Sequence, residues 1–196
     1  MDRLPAVILL LGLASCGGPK DDQPVATPSA RTDGAKVSQP QAASTDAFCD
    51  LHATDASGPA FTWPELAGGA APAAPTTWRW VNVWATWCAP CVEEMPRVIA
   101  WRDKLAAAGK RVDLQFVSVD ESDDDVAAFR KAHPETPPSI RIASAAARAA
   151  WLKTFKLDDG AIPIQLFVSP ASKLRCSRAG GVRDKDYAVV SRLLGE

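Results

Sequence analysis

Two cysteines three residues apart, Cys88 and Cys91, stand directly behind the apolar run Trp80-Val81-Asn82-Val83-Trp84-Ala85. Such a run reads as a buried strand, and the turn that follows it, with Pro90 near its end, opens a helix. At a strand-to-helix junction the first sulfur lies at the helix N-terminus and the second one turn inside, close enough to form a small disulfide. The unpaired N–H groups and the dipole of that helix end favour an anion, so the Cys88 thiol is expected to titrate below the ordinary thiol range. An exposed thiolate with a resolving partner is the equipment of thiol–disulfide exchange. The same spacing is also half of a zinc site, which needs a second Cys/His pair at ligand spacing. Elsewhere the chain has only His52, His133, Cys49, Cys176 and Cys16, none paired at short spacing.

The string Asn82-Val83-Trp84-Ala85-Thr86-Trp87-Cys88-Ala89-Pro90-Cys91, followed by Glu93-Glu94-Met95-Pro96, closely resembles the TlpA type of thioredoxin-fold protein, an envelope-anchored thiol–disulfide oxidoreductase. The resemblance runs from about Phe61 to the C-terminus and includes Gly160-Ala161-Ile162-Pro163, which is similar to the family's cis-proline segment. It implies an α/β fold of the thioredoxin-like kind, a central mixed sheet flanked by helices with an N-terminal extension. It also implies roles: Cys88 as nucleophile, Cys91 as resolving thiol, and Pro163 beside the disulfide, exposing the Ile162 backbone to an extended substrate. The partners implied are protein dithiols or disulfides and an upstream membrane electron donor, with no cofactor and no metal. Pro90 between the cysteines resembles the reducing members of the fold.

The resemblance has departures. Asn82 occupies the strand position of cytoplasmic thioredoxin's buried carboxylate, which removes the usual proton acceptor beneath Cys91, and Ile164 follows Pro163 where threonine is commoner. Glu94 matches a glutamate found near the cysteines in some relatives, and two readings stand: a proton shuttle, or a solvated acid in the first helical turns.

Residues Leu4 to Ala14 are apolar but too few to span a bilayer, and they run into Leu13-Ala14-Ser15-Cys16, which resembles a bacterial lipobox. The expectation is a lipoprotein signal over 1–15, diacylglyceryl attachment at Cys16, and a mature protein anchored to a membrane outside the cytoplasm. Residues 16–47, rich in Pro, Ala, Ser, Thr and Gln, offer too little apolar surface to offset ordering entropy and read as a tether; 48–196 then form one domain. With Cys16 and the redox pair assigned, Cys49 and Cys176 are left as an even remainder in an oxidising compartment, either bridged or two separate buried thiols. Alternation places Cys176 on the same strand face as Leu174.

Pattern alone predicts strands at 78–85, 112–119, 140–143, 164–168 and 173–178, and helices from Cys88 to Gly109, 122–132, 144–157 and 184–194, with 48–66 irregular. The acidic run Asp120-Glu121-Ser122-Asp123-Asp124-Asp125 lacks the glycine and terminal glutamate of a calcium loop and reads as a capped, solvated helix start. A net charge of −1 gives no electrostatic case for nucleic acid. Trp87 on the turn before Cys88 is a candidate surface for a partner polypeptide. A copper-binding or copper-delivery module on the same fold, with Cys88, Cys91 and His133 as ligands, is the alternative. The substrate stays open among an apocytochrome, as in cytochrome c maturation, another oxidoreductase and a copper-site protein.

Overall fold

The computed structural model describes residues 44–157 and 160–195; the expected signal over 1–15, Cys16 and the expected tether up to residue 43 lie outside them. A six-stranded mixed sheet forms the centre, in the order β1-β6-β5-β2-β3-β4. Its strands are β1 (Leu51–His52), β2 (Trp78–Trp84), β3 (Val112–Ser118), β4 (Ser139–Arg141), β5 (Ile164–Val168) and β6 (Leu174–Ala179). The helices are α1 (Thr45–Phe48), α2 (Ala89–Ala107), α3 (Asp123–Ala132), α4 (Ala145–Lys153) and α5 (Tyr187–Leu193). Among the described residues no helix is long and apolar enough to cross a membrane.

The strand β2 runs parallel to β3 and antiparallel to β5, so it is paired on both edges and buried on both faces. That double burial is why its sequence is nearly continuous apolar residues. Its period of two splits them between two cores. Trp80 and Trp84 join Met95, Val98, Trp101 and Leu105 of α2 and Val189, Val190 and Leu193 of α5. Val81 and Val83 face the opposite way, onto Trp151 and Leu152 of α4 and the neighbouring Phe155.

Helix boundaries follow local chemistry. Ser122 and Ser144 accept the N–H groups of Asp125 and Ala147, capping α3 and α4. Gly109, at φ 80°, ends α2 in the left-handed conformation that only glycine adopts without strain. Pro96 lies inside α2, which continues through it.

Five expectations need correcting. Ordered structure begins before Phe48, because Thr45–Phe48 is already helical and Ser44 caps it. The stretch read as irregular contains β1, whose two residues pair with Ser177 and Cys176 and are too few to show any period. The helix predicted over 144–157 ends at Lys153, and the C-terminal one begins as a 3₁₀ turn, Asp184–Asp186. Cys176 does not share a face with Leu174. A register shift in β5–β6 pairs Phe167 with Cys176 and Val168 with Leu174, sending Cys176 to the α2 side and Leu174 to the α4 side. Cys176 is disulfide-bonded to Cys49, at a sequence separation of 127.

Candidate functional site

The site grows from the end of β2. After Trp84 the chain makes a turn, Cys88 N–H donating to Ala85 O at 3.1 Å, and enters α2 with Cys88 as its N-cap. The Cys88 sulfur accepts the Cys91 N–H at 3.3 Å and is bonded to the Cys91 sulfur. A sulfur seated on a helix N-terminus is where a thiolate is stabilised once the bond opens. Cys88 is 5% exposed and Cys91 fully buried, so the nucleophile assigned from sequence is the more accessible of the two, although it does not stand in open solvent. Trp87 beside it is 65% exposed, the sole large apolar side chain of that kind among the described residues. It borders a groove of about 740 Å³ floored by Val119 and Ile142.

Glu94 is not a solvated acid. It lies three residues beyond Cys91 on the same face of α2 and is 3% exposed. Its Oε1 accepts from Asn82 Nδ2 at 2.7 Å and from Gln165 Nε2 at 2.7 Å, and its Oε2 from the Val182 N–H at 2.7 Å. Burial raises the carboxyl above its ordinary range, and these donors, with the Arg97 charge, pull it part of the way back. The strand thus supplies an amide where a carboxylate was missed, and the helix supplies the carboxylate. Gln165 Oε1 also accepts from Trp80 Nε1 at 2.8 Å, extending the chain of buried polar groups across β5 and β2. Asn82 Oδ1 is buried without a partner.

Pro163 follows a cis bond from Ile162. Since Ile164 pairs with Val83, this bond falls at the end of β2 from which the redox turn departs. Ile162 sits outside the ladder, partly buried against both cores. Pro163 O accepts the Gly180 N–H, which draws the 180–182 loop over Glu94. A Cβ at Gly181 would lie 2.8 Å from Glu94 Oε2 and 3.4 Å from Pro163 Cγ. Beside it a cleft of about 510 Å³, lined by Pro90, Glu94, Arg97 and Val182, gives Glu94 a route to solvent. Gly181→Ala is therefore expected to push the carboxylate off its Val182 donor and slow exchange about tenfold while the protein stays folded. Exchange kinetics alongside circular dichroism would check this, and an unchanged rate would mean the loop yields instead.

Sequence reading missed Gln165, Gly181 and Asp120. A polar residue inside the otherwise apolar Ile164–Val168 was the available signal for Gln165; Asp120 was hidden in an acidic run whose other members are solvated. His133 stacks on Phe129 at the end of α3, with ring centroids 4.4 Å apart. Among the described residues no three His, Cys, Asp or Glu side chains gather as metal ligands.

No family model matches the chain. It is 36% identical over 60 residues to the thioredoxin-like protein YneN of Bacillus subtilis (strain 168), a match covering 31% of this chain and 35% of that protein. The chain thus spans about a third of the length of that curated relative. Among solved structures it is similar to a thioredoxin-related protein from Neisseria meningitidis serogroup B, with 30% identity, TM-score 0.50, and coverage of 62% of this chain and 87% of that one. It is also similar to the thioredoxin domain of a thiol-disulfide oxidoreductase from Bacteroides vulgatus, at 18% identity and TM-score 0.48, over 61% of this chain and 80% of that one.

Proposed function

The chain belongs to the thioredoxin-like proteins, and from that premise we propose that it is a thiol–disulfide oxidoreductase whose reduced form opens disulfides in other proteins outside the cytoplasm. The observation that carries this reading is the Cys88–Cys91 pair at the N-terminus of α2 with the buried Glu94 carboxylate one turn further on.

In the reduced protein the Cys88 thiolate attacks one sulfur of the substrate disulfide. A Cys88–substrate S–S bond forms, the substrate bond breaks, and the second substrate sulfur leaves as a thiolate. Cys91 then gives up its proton and attacks Cys88 Sγ, which re-forms Cys88–Cys91 and releases the first substrate sulfur. Two electrons pass to the substrate; the Cys91 proton goes to one of its thiolates, and the other takes from solvent the proton that Cys88 had released on ionising. Glu94, its affinity for a proton raised by burial, takes the Cys91 proton and returns it through the cleft. A dithiol electron donor at the membrane restores the reduced state.

The backbone before Pro163 and the Trp87 side chain receive the extended substrate, and Cys16, if acylated as the sequence leads one to expect, anchors the protein to a membrane. The domain that begins at the Ser44-capped helix carries the chemistry, and the stretch that precedes it gives it reach. Two disulfides in one chain fit an oxidising compartment.

Glu94→Gln should slow exchange roughly 10²-fold, the scale of a lost general acid–base group. It should also change how stability depends on pH. The folded carboxyl holds its proton to higher pH than the unfolded one, so its favourable contribution is present below the ordinary glutamate range, about pH 4.3, and is lost as pH rises through the raised folded value. Thermal melts across that interval should converge or cross for the two proteins. Parallel curves together with an unchanged thiol titration would make Glu94 a plain packing residue.

A further inference from the structure

Asp120 is 3% exposed at the end of β3, and the exchange chemistry as proposed makes no use of it. Its Oδ1 accepts the Thr86 hydroxyl at 2.7 Å and the Thr86 N–H at 3.1 Å; its Oδ2 accepts the same N–H at 3.2 Å and the Ser118 hydroxyl at 2.6 Å. Its own N–H donates to Ser118 Oγ at 3.0 Å. Thr86 is two residues before Cys88, and on the far side of Trp87 the Cys88 N–H is held by Ala85 O. An exposed tryptophan is thus carried on a turn fastened at both ends, one end by a buried side chain two residues beyond the end of β3. The hydroxyl and the N–H of Thr86 both end on this one buried side chain, which holds the short segment in place.

We propose that Asp120 is a positioning residue for the nucleophile: through Thr86 it fixes the Trp87–Cys88 turn so that the Cys88 sulfur stays over the N-terminus of α2 and in line for attack. The proposal rests on the exchange reading of Cys88 but is tested without a substrate disulfide. An atomic misplacement of about 1 Å costs reactions of this kind up to 10²-fold, so loosening the turn has a measurable effect. Asp113, by contrast, is a carboxylate at the opposite end of β3, paired with the buried Arg79 at 2.7 Å. It stabilises the sheet far from the redox turn and serves as the control.

The experiment measures iodoacetamide alkylation of Cys88 and Cys91 separately, by peptide mass, in the full chain with Cys88–Cys91 reduced and the Cys49–Cys176 bond retained. Asp120→Asn is expected to slow Cys88 about tenfold, and Thr86→Val about threefold, the loss of one hydrogen bond. Asp113→Asn should leave Cys88 at the wild-type rate at a comparable loss of melting temperature. The double variant Asp120→Asn/Thr86→Val should be no slower than Asp120→Asn, because both changes act through one clamp. In exchange assays the loss should fall on kcat rather than KM. Wild-type Cys88 reactivity in Asp120→Asn, or an equal loss in Asp113→Asn, would overturn the proposal. Should Asp120→Asn not fold, Thr86→Val decides alone. A wild-type protein that alkylates rapidly at Cys88 yet reduces no protein disulfide would sink the proposed function and leave the role of Asp120 standing.

Discussion

Cys88→Ser will bring disulfide exchange down to the uncatalysed background, whereas Cys91→Ser will keep the first step and stop at the second, accumulating a mixed disulfide between Cys88 and its partner. The reason is the division of labour set by the helix. Cys88 alone gains both the N-terminal position and the greater exposure, while Cys91 is wholly enclosed and meets only what Cys88 presents to it. In the wild type the resolving attack is intramolecular, so the mixed disulfide is short-lived; without Cys91 its lifetime depends on an outside thiol. Non-reducing gels and mass spectrometry of material captured by Cys91→Ser would identify the substrate. Alkylation of the reduced wild-type protein should favour Cys88 strongly at neutral pH. Equal rates at both thiols, or a trap formed as readily by Cys88→Ser, would reverse the assignment.

The second large effect concerns stability. Cys49→Ser should lower the melting temperature by about 10–20 °C with exchange largely intact. The bond joins residues at a sequence separation of 127, and the chain-entropy model gives about 4–5 kcal/mol for a loop of that size. A domain of this length loses about 2–4 °C for each kcal/mol. The same stabilisation makes the bond harder to reduce while the domain is folded, since about 1.4 kcal/mol corresponds to 30 mV for a two-electron couple. Graded reduction followed by alkylation should therefore label Cys88 and Cys91 before Cys49 and Cys176. Accessibility does not set that order, because Cys49 is 9% exposed against 5% for Cys88. A melting temperature unmoved by Cys49→Ser would show that the pairing of β1 with β6 holds the N-terminal segment without the bridge.

The Cys88–Cys91 pair and the elements around it were legible in the sequence because their determinants are local. A strand buried on both faces must be apolar throughout, a Ser or Gly at a helix end is chosen by the orphan N–H groups or the left-handed turn beside it, and a C-x-x-C turn closes on itself. These need no distant partner. Trp78–Trp84, Ala89–Ala107 and Asp123–Ala132 accordingly lie within a residue or two of their expected bounds.

Groups whose environment is made by remote segments were not legible. Glu94 looks like a surface acid when its neighbours in the chain alone are considered; it is buried because Asn82, Gln165 and Val182, 12, 71 and 88 residues away, converge on it, and because Gly181 has no side chain to displace it. Asp120 looks like the start of a solvated run until β3 ends beside Thr86, 34 residues earlier. Cys176 faces its partner only because a register shift reverses the local alternation. The sequence by itself thus determined which two cysteines meet across one turn and which elements carry them. Tertiary structure alone decided which polar groups are taken out of water, since burial of a charge is a property of the elements that close over it and not of the residue that bears it.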